Sequence, residues 1–344
     1  MTAREYPVFT VTPKAERSLR AGHPWVYGEE VTAVEGAYQN GDMVDVVSNK
    51  GRYLGTGWVN DHSKIRVRII SRNANDTFDE AFFRRRVCYA LNYRKTVMGP
   101  VDYRCCRLIF GEADQFPGLT VDRFENILVT QVLSLGMERR KDWVYRALVE
   151  LLREDGEQID AIYERNDVAI RTLEGLEQGK GFYQMEGLKT DLSGHVTITE
   201  NRIKYDVDYM EGQKTGFFLD QKYNRQAAAK LARGRRVLDC FTHTGAFALN
   251  AAAAGAEHVT AVDVSAFALE LAAENGKRNG LTNLDYKCAD VFDLLTEMAK
   301  EKKCDYDYII LDPPAFTKSR ATAKNAYHGY KEINMKAMRL LPRG

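Results

Sequence analysis

The fold is decided by residues 235–263, RRVLDCFTHTGAFALNAAAAGAEHVTAVD. An apolar run of strand length, RRVLDCF, gives way to a turn at Gly245, then to the alanine-rich GAFALNAAAA and a second apolar run, HVTAVDV. The alternation continues through AFALELAAENGKRNG, LDYKCAD, VFDLLTEMAKEKK, YDYIILD and AYHGYKEINMKAMRLL. Strands alternating with helices imply a parallel, doubly wound sheet, with its ligand at the carboxyl ends of the strands. Residues 191–344 are expected to form this domain, entered through two alternating strands and a polar loop in HVTITENRIKYDVDYMEGQKTGFFLDQ.

Each strand of that pattern delivers a carboxylate: Asp239, Asp263, Asp290 just past the third strand, and Asp312. For any one of them, capping of the following helix is an alternative. The first turn, residues 239–247, lacks the GxGxxG that places a dinucleotide pyrophosphate on a helix N-terminus. S-adenosylmethionine (SAM) carries no phosphate and offers an ammonium, a ribose diol and an adenine, all of which pair with acceptors. In this reading Asp239 orients the methionine end, Asp263 accepts from the ribose hydroxyls and Asp290 meets the adenine amine. Gly245 lets the backbone approach the ligand, and Phe241, Thr242, Val264, Ser265 and Val291 flank the same turns. The fourth strand runs into Asp312-Pro313-Pro314-Ala315-Phe316. Two prolines hold this backbone rigid; Asp312 and Pro313 are expected to position a target base, with Phe316 available to stack, and an ordinary turn is the plain alternative.

Residues 1–74 carry short alternating runs broken by glycine: YPVFTV, GDMVDVVSN, RYLGTGWVN and KIRVRII. They predict a small β-barrel or sandwich. A short helix with Lys14, Arg17 and Arg20 leads into Gly22-His23-Pro24-Trp25. Basic side chains beside an aromatic ring suit RNA phosphate contact with base stacking, making Lys14, Arg17, His23 and Trp25 candidate RNA contacts. A buried Trp25 anchoring a turn is the alternative. Residues 75–190 read as an α+β domain: the basic, aromatic helix FDEAFFRRRVCYALNYRKTV, a pair of strands in RLIFGEADQFPGLTVDRFENILVTQVLS, the helix KDWVYRALVELLRED and the strand QIDAIYERND. Glu112, Asp114 and Asp122 invite a carboxylate-site reading, against which Pro117 and Gly118 mark a turn where acids cap and solvate.

Composition sets the frame. At 344 residues the chain exceeds one hydrophobic core, so two or three domains are expected. Hydrophobic residues make up 44% and charged ones 28%, with no run near the roughly 18 apolar residues of a membrane span. The N-terminus has no secretory pattern, and the cytoplasm is the default location. Cys88, Cys105, Cys106, Cys240, Cys288 and Cys304 lack CxxC spacing and accompanying histidines, which argues against a metal site or a disulfide framework. The net charge of +1 conceals basic patches at residues 64–72 and 84–86, each equally a solvated face or an RNA contact. A homodimer is compatible with the sequence.

Four segments, GQKTGFFLDQ at 212–221, VLDCFTHTGAF at 237–247, AVDVS at 261–265 and LDPPAF at 311–316, resemble the motifs of class I RNA methyltransferases. With GHPWVY and FGEADQFPGLTVDRF, the whole chain resembles the bacterial large-subunit (23S) rRNA cytosine-C5 methyltransferase family. The resemblance implies an α/β and α+β multidomain fold: a PUA-like β-barrel over 1–74, a central α+β domain over 75–190 and a Rossmann-like methyltransferase sheet over 191–344. It further implies that Gln213, Lys214, Thr215 and Phe217 lie in a loop closing over SAM, with Gln221 and Arg225 behind. C5 methylation needs a nucleophile at C6; the family's cysteine follows a fifth strand, which is expected beyond residue 344. Alternatives are methylation of a purine amino or ring nitrogen, and a non-catalytic RNA-binding or ribosome-assembly role. A nicotinamide dehydrogenase is disfavoured by the missing glycine fingerprint.

Overall fold

The computed structural model describes residues 5–301, 304–317 and 322–342. The chain forms two compact units. The first runs up to Val196 and includes Val207–Phe217; the second takes Thr197–Asp206 and the chain from Phe218 onward.

The first unit holds two sheets. The N-terminal one has six strands in the order Trp25–Tyr27, Ile65–Ser71, Tyr53–Val59, Met43–Ser48, Val8–Val11 and Val31–Glu35. Only Val8–Val11 with Met43–Ser48 is a parallel pair. A helix, Pro13–Arg20, starts where the Thr12 hydroxyl accepts from Ala15 N and buries Ala15 and Leu19, one turn apart on its inner face. Trp25, read above as part of a glycine loop, begins an edge strand opposite Arg68. Three-residue strands carry too little alternation to be seen in a sequence.

The second sheet has five strands, Cys105–Phe110, Leu119–Phe124, Ile127–Val132, Ala161–Asn166 and Gly179–Phe182, in chain order across the sheet. What reads as a pair of strands in residues 107–134 belongs to three. The missed break is the tight turn at Glu125 and Asn126, where Glu125 takes a left-handed φ of 54° with no glycine to announce it. Helices Glu80–Val97 and Lys141–Glu154 pack Phe82, Phe83, Val87 and Leu91 together with Val144, Leu148 and Leu152 in the core. The short helix Leu135–Glu138, which follows Ile127–Val132, meets the N-terminal sheet where Gly136 lies against the Trp58 ring: a Cβ there would stand 2.0 Å from the ring carbon Cγ.

In the second unit, strands β1 (Arg236–Cys240), β2 (His258–Asp263), β3 (Leu284–Cys288) and β4 (Tyr308–Leu311) form an all-parallel sheet ordered β3-β2-β1-β4. Helices α1 (Ala246–Ala253), α2 (Ala266–Arg278), α3 (Val291–Glu301) and α4 (Ala323–Leu340) follow the strands. Alternate residues of β1 divide the core. Val237 joins Ala248, Ala251 and Ala252 of α1 on one face; Leu238 and Cys240 join Leu294 and Leu295 of α3 and Ile333 of α4 on the other. The chain reverses direction across the sheet between β1 and β4, which opens the crevice where doubly wound folds bind ligands. Among the described residues no helix is long and apolar enough to cross a membrane.

The Gly136 contact is testable. Gly136→Ala must push Trp58 out of a fully packed position, so urea melts should show the first unit destabilised by about 1–3 kcal/mol. An unchanged melting midpoint would mean that the first unit does not depend on this approach.

Candidate SAM-binding site

Strand register sets the depth of each acid. Asp239 pairs level with Ala261 and Ile310, whereas Asp263 pairs with Cys288, two residues further along the parallel ladder. Asp312 follows Leu311, the partner of Cys240, and Asp290 lies two residues past Cys288. The four acids are therefore staggered rather than equivalent. Asp239 is buried at 1% exposure, Asp263 is half-buried, and Asp290 and Asp312 are exposed.

Asp239 Oδ2 accepts from the Thr242 hydroxyl at 2.5 Å and from Ala248 N in α1 at 2.9 Å, while its Oδ1 is buried with no hydrogen-bond partner among the described residues. Burial pushes its carboxyl up to about 7, against the pull of Thr242 and Ala248 and with added repulsion from Asp312 and Asp263. The register brings Asp263 and Asp312, on the strands at either side of Asp239, to the same edge of the sheet. Asp263 receives His243 N at 2.8 Å and Ser265 N at 2.9 Å. The Ser265 hydroxyl caps α2 through Ala268 N. Asp290 accepts from Phe292 and Asp293 N and so caps α3, the helix-capping alternative realised at this position.

The turn after β1 is strained. Phe241, His243 and Gly245 have φ of 62°, 52° and 81°, and two of these left-handed positions carry side chains. Gly245 is needed for packing as much as for approach, since a Cβ would stand 2.8 Å from Ala272 of α2. His243 escapes the sequence reading because left-handed backbone leaves no mark at a histidine. Its ring packs edge-on to Phe218 at 5.5 Å, and burial lowers its pKa despite the Asp263 carboxylate.

Other candidates are placed differently from their expected roles. The Thr242 side chain is buried and points at Asp239, and Val291 is buried in the core with Leu294 and Leu295. Phe316 is not a free stacking surface: its ring lies 4.3 Å from Tyr330 and 5.7 Å from Phe292. Pro313 is half-buried in the extended exit after β4. Val264 is 72% exposed beside Asp263, and Phe267, which the sequence reading passes over, is 69% exposed. Arg225 is buried in a bidentate pair with Glu200 and donates to Phe218 O. Gln213, Thr215 and Phe217 belong to the first unit, where the Thr215 hydroxyl donates to Asp122 at 2.6 Å, Phe217 is buried and Gln213 is exposed. The acids at 112, 114 and 122 form no open carboxylate site. Glu112 accepts from Trp25 Nε1 and Arg68, Asp114 from Arg94, and Asp122 from Arg107 and Thr215. Among the RNA candidates, Lys14, Arg17 and His23 are exposed, and Trp25 is half-buried. No cluster of His, Cys, Asp and Glu among the described residues could hold a metal ion.

A family model for a PUA-like domain matches residues 9–72, and one for S-adenosylmethionine-dependent methyltransferases matches residues 182–342. Over 332 residues the chain is 42% identical to ribosomal RNA large subunit methyltransferase I of Photobacterium profundum, covering 96% of this chain and 81% of that protein. The chain belongs to this methyltransferase family. The enzyme of the same name from Aeromonas salmonicida is 41% identical, with the same coverage. The fold is shared with SMU.776, assigned as a methyltransferase and solved with SAH (TM-score 0.79, 22% identity, 98% of this chain and 83% of that one), and with a SAM-dependent methyltransferase from Streptococcus mutans (TM-score 0.75, 23% identity, 94% and 82%). This methyltransferase uses SAM, and its residues fit that molecule. The orphaned Asp239 oxygen asks for a buried donor such as an ammonium, and the strand ends supply acceptors with no phosphate-binding turn.

The raised Asp239 carboxyl makes stability pH-dependent. Its protonated form is favoured by folding, so its contribution is full below the usual carboxylate value near 4 and lost as pH rises through about 7. Without SAM, the denaturation midpoint should fall between pH 5 and pH 8. Asp239→Asn, neutral throughout, should flatten that slope and be the more stable protein at pH 8. An identical slope in both proteins would mean that Asp239 ionises normally.

Proposed function

We propose that this enzyme transfers a methyl group from SAM to large-subunit rRNA, at C5 of a cytosine in 23S rRNA. The observation that carries the cofactor half is the buried, unpaired Asp239 oxygen with Asp263 and Asp312 around the crevice between β1 and β4. The RNA half is supported by the match along 96% of the chain to relatives named for that substrate, and by the PUA-like domain.

In this reading Asp239 receives the ammonium and Asp263, its carboxylate oriented by His243 N and Ser265 N, receives the ribose hydroxyls. Asp290 faces the adenine amine beyond its capping bonds, beside the exposed Val264. Bound SAM supplies an electrophilic methyl. Asp312 accepts from the base edge, and Pro313 and Pro314 keep that acceptor from swinging away. The Thr215 hydroxyl is committed to Asp122 and does not serve as a ligand. Lys14, Arg17, His23 and Trp25 hold RNA on the PUA-like sheet.

C5 chemistry needs a thiolate at C6, and the six cysteines are poorly placed for it. Cys105, Cys106 and Cys240 are buried, and burial pushes the Cys240 thiol far up. Cys304 precedes the amino end of β4, Cys288 ends the outer strand β3, and Cys88 lies on the Glu80–Val97 helix. None of the six is placed to serve as that thiolate. The same placement favours a second reading, methylation of a purine nitrogen gripped by Asp312, which needs no thiol.

Incubation of the full-length protein with tritiated SAM and unmodified 23S rRNA, followed by digestion to nucleosides, separates the two. The expected product is 5-methylcytidine; a methylated purine would favour the second reading, and label in neither would end both. By calorimetry, Asp263→Ala should weaken SAM binding roughly tenfold or more through lost charge-assisted hydrogen bonds. Unchanged affinity would remove Asp263 from the site.

A further inference from the structure

We propose that Phe110 and Tyr93, both in the first unit, form a shelf on which unpaired bases of the RNA substrate stack; this rests on the RNA reading above. The two rings are 55% and 60% exposed. Each is backed by a guanidinium: Arg107 lies 5.2 Å from the Phe110 ring centroid and Arg94 lies 5.3 Å from that of Tyr93.

Those guanidiniums are fixed. Arg94 makes a bidentate pair with Asp114 at 2.5 and 2.6 Å, and Arg107 another with Asp122 at 2.7 and 2.9 Å. Arg94 Nε also donates to the Arg107 carbonyl at 3.0 Å, and Asp114 takes Phe110 N at 2.6 Å. Both rings thus rise from one bonded cluster, held on one side by a cation and open to solvent. Bases stack on such faces with little sequence preference, and a ring already immobilised loses little entropy on doing so.

Two observations favour RNA over a second copy of the chain. The turn that follows Phe110 is tied to the PUA-like sheet, because Glu112 accepts from Trp25 Nε1 at 2.8 Å, and the exposed His23 ring packs edge-on to Trp25 at 5.5 Å. The shelf therefore continues from the part of the molecule with an RNA-binding fold. Residues 80–110, which carry both rings, hold seven basic side chains against two acidic ones in a chain of net charge +1.

The test measures binding of an unmodified 23S rRNA transcript by the native protein and by Phe110→Ala, Tyr93→Ala and Phe110→Trp, with SAM calorimetry and sedimentation on each. Each alanine variant should weaken RNA binding about tenfold, and Phe110→Trp should stay within about twofold of native. SAM affinity should not change. RNA binding unaltered in both alanine variants overturns the shelf, and so does a loss as large in Phe110→Trp as in Phe110→Ala. Altered sedimentation with unaltered RNA binding assigns the rings to a second copy and overturns the RNA proposal. Failure of the native protein to bind the transcript while it binds SAM removes the RNA reading itself, a result distinct from any failure among the variants.

Discussion

A carboxylate held in the middle of an apolar sheet is the constraint on which the catalytic unit turns. Asp239 sits one pleat below the rim of β1, with Leu238 and Cys240 beside it in the core. Keeping it there requires donors, and the chain supplies two by folding the next residues tightly enough for the Thr242 hydroxyl and Ala248 N to reach back. That tightness forces Phe241 and His243 into left-handed backbone. The left-handed turn then aims His243 N at Asp263 on the neighbouring strand. One buried acid thus organises the turn, the start of α1 and the carboxylate of the next strand. Strain of this kind survives only where its surroundings over-determine it, which is characteristic of binding sites.

Much of this is visible in sequence, and the residues show why some is not. The doubly wound pattern from residue 235 is legible because the hydrophobic period changes at every element, and parallel strands buried on both faces read as unbroken apolar runs. The identity of the strand-end acids is legible for the same reason. Their depth is not, since it depends on register between strands distant in sequence: nothing in AVDVS says that Asp263 stands two residues above Asp239. The helix cap at Asp290 and the packing role of Gly245 are likewise properties of neighbours. Trp25–Tyr27 is too short to show alternation, Val31–Glu35 has no buried face to alternate with, and the Glu125 turn lacks its usual glycine. Phe316 was an exposed ring in sequence terms because its partner, Tyr330, comes from the following helix.

The acids of the crevice are held differently from the arginine-paired acids elsewhere in the chain, Glu200 with Arg225 in the same unit included, and this contrast says more about function than either set alone. In the first unit the acids are saturated by arginine: Asp114 by Arg94, Asp122 by Arg107, Glu174 by Arg68. Such pairs, with the acid or the arginine buried and bidentate at Asp114 and Asp122, fix geometry and offset the charge that a ligand would otherwise meet. In the second unit Asp239 and Asp263 are met by backbone N–H groups and one hydroxyl, and neither forms an ion pair among the described residues. Among those residues they are oriented without a cationic side chain beside them. An acid whose counter-charge comes from the protein is a structural joint, whereas one that is only oriented is suited to a cationic ligand. The ammonium and sulfonium of SAM make it such a ligand, which is why the same residue type can build the scaffold in one place and the site in another.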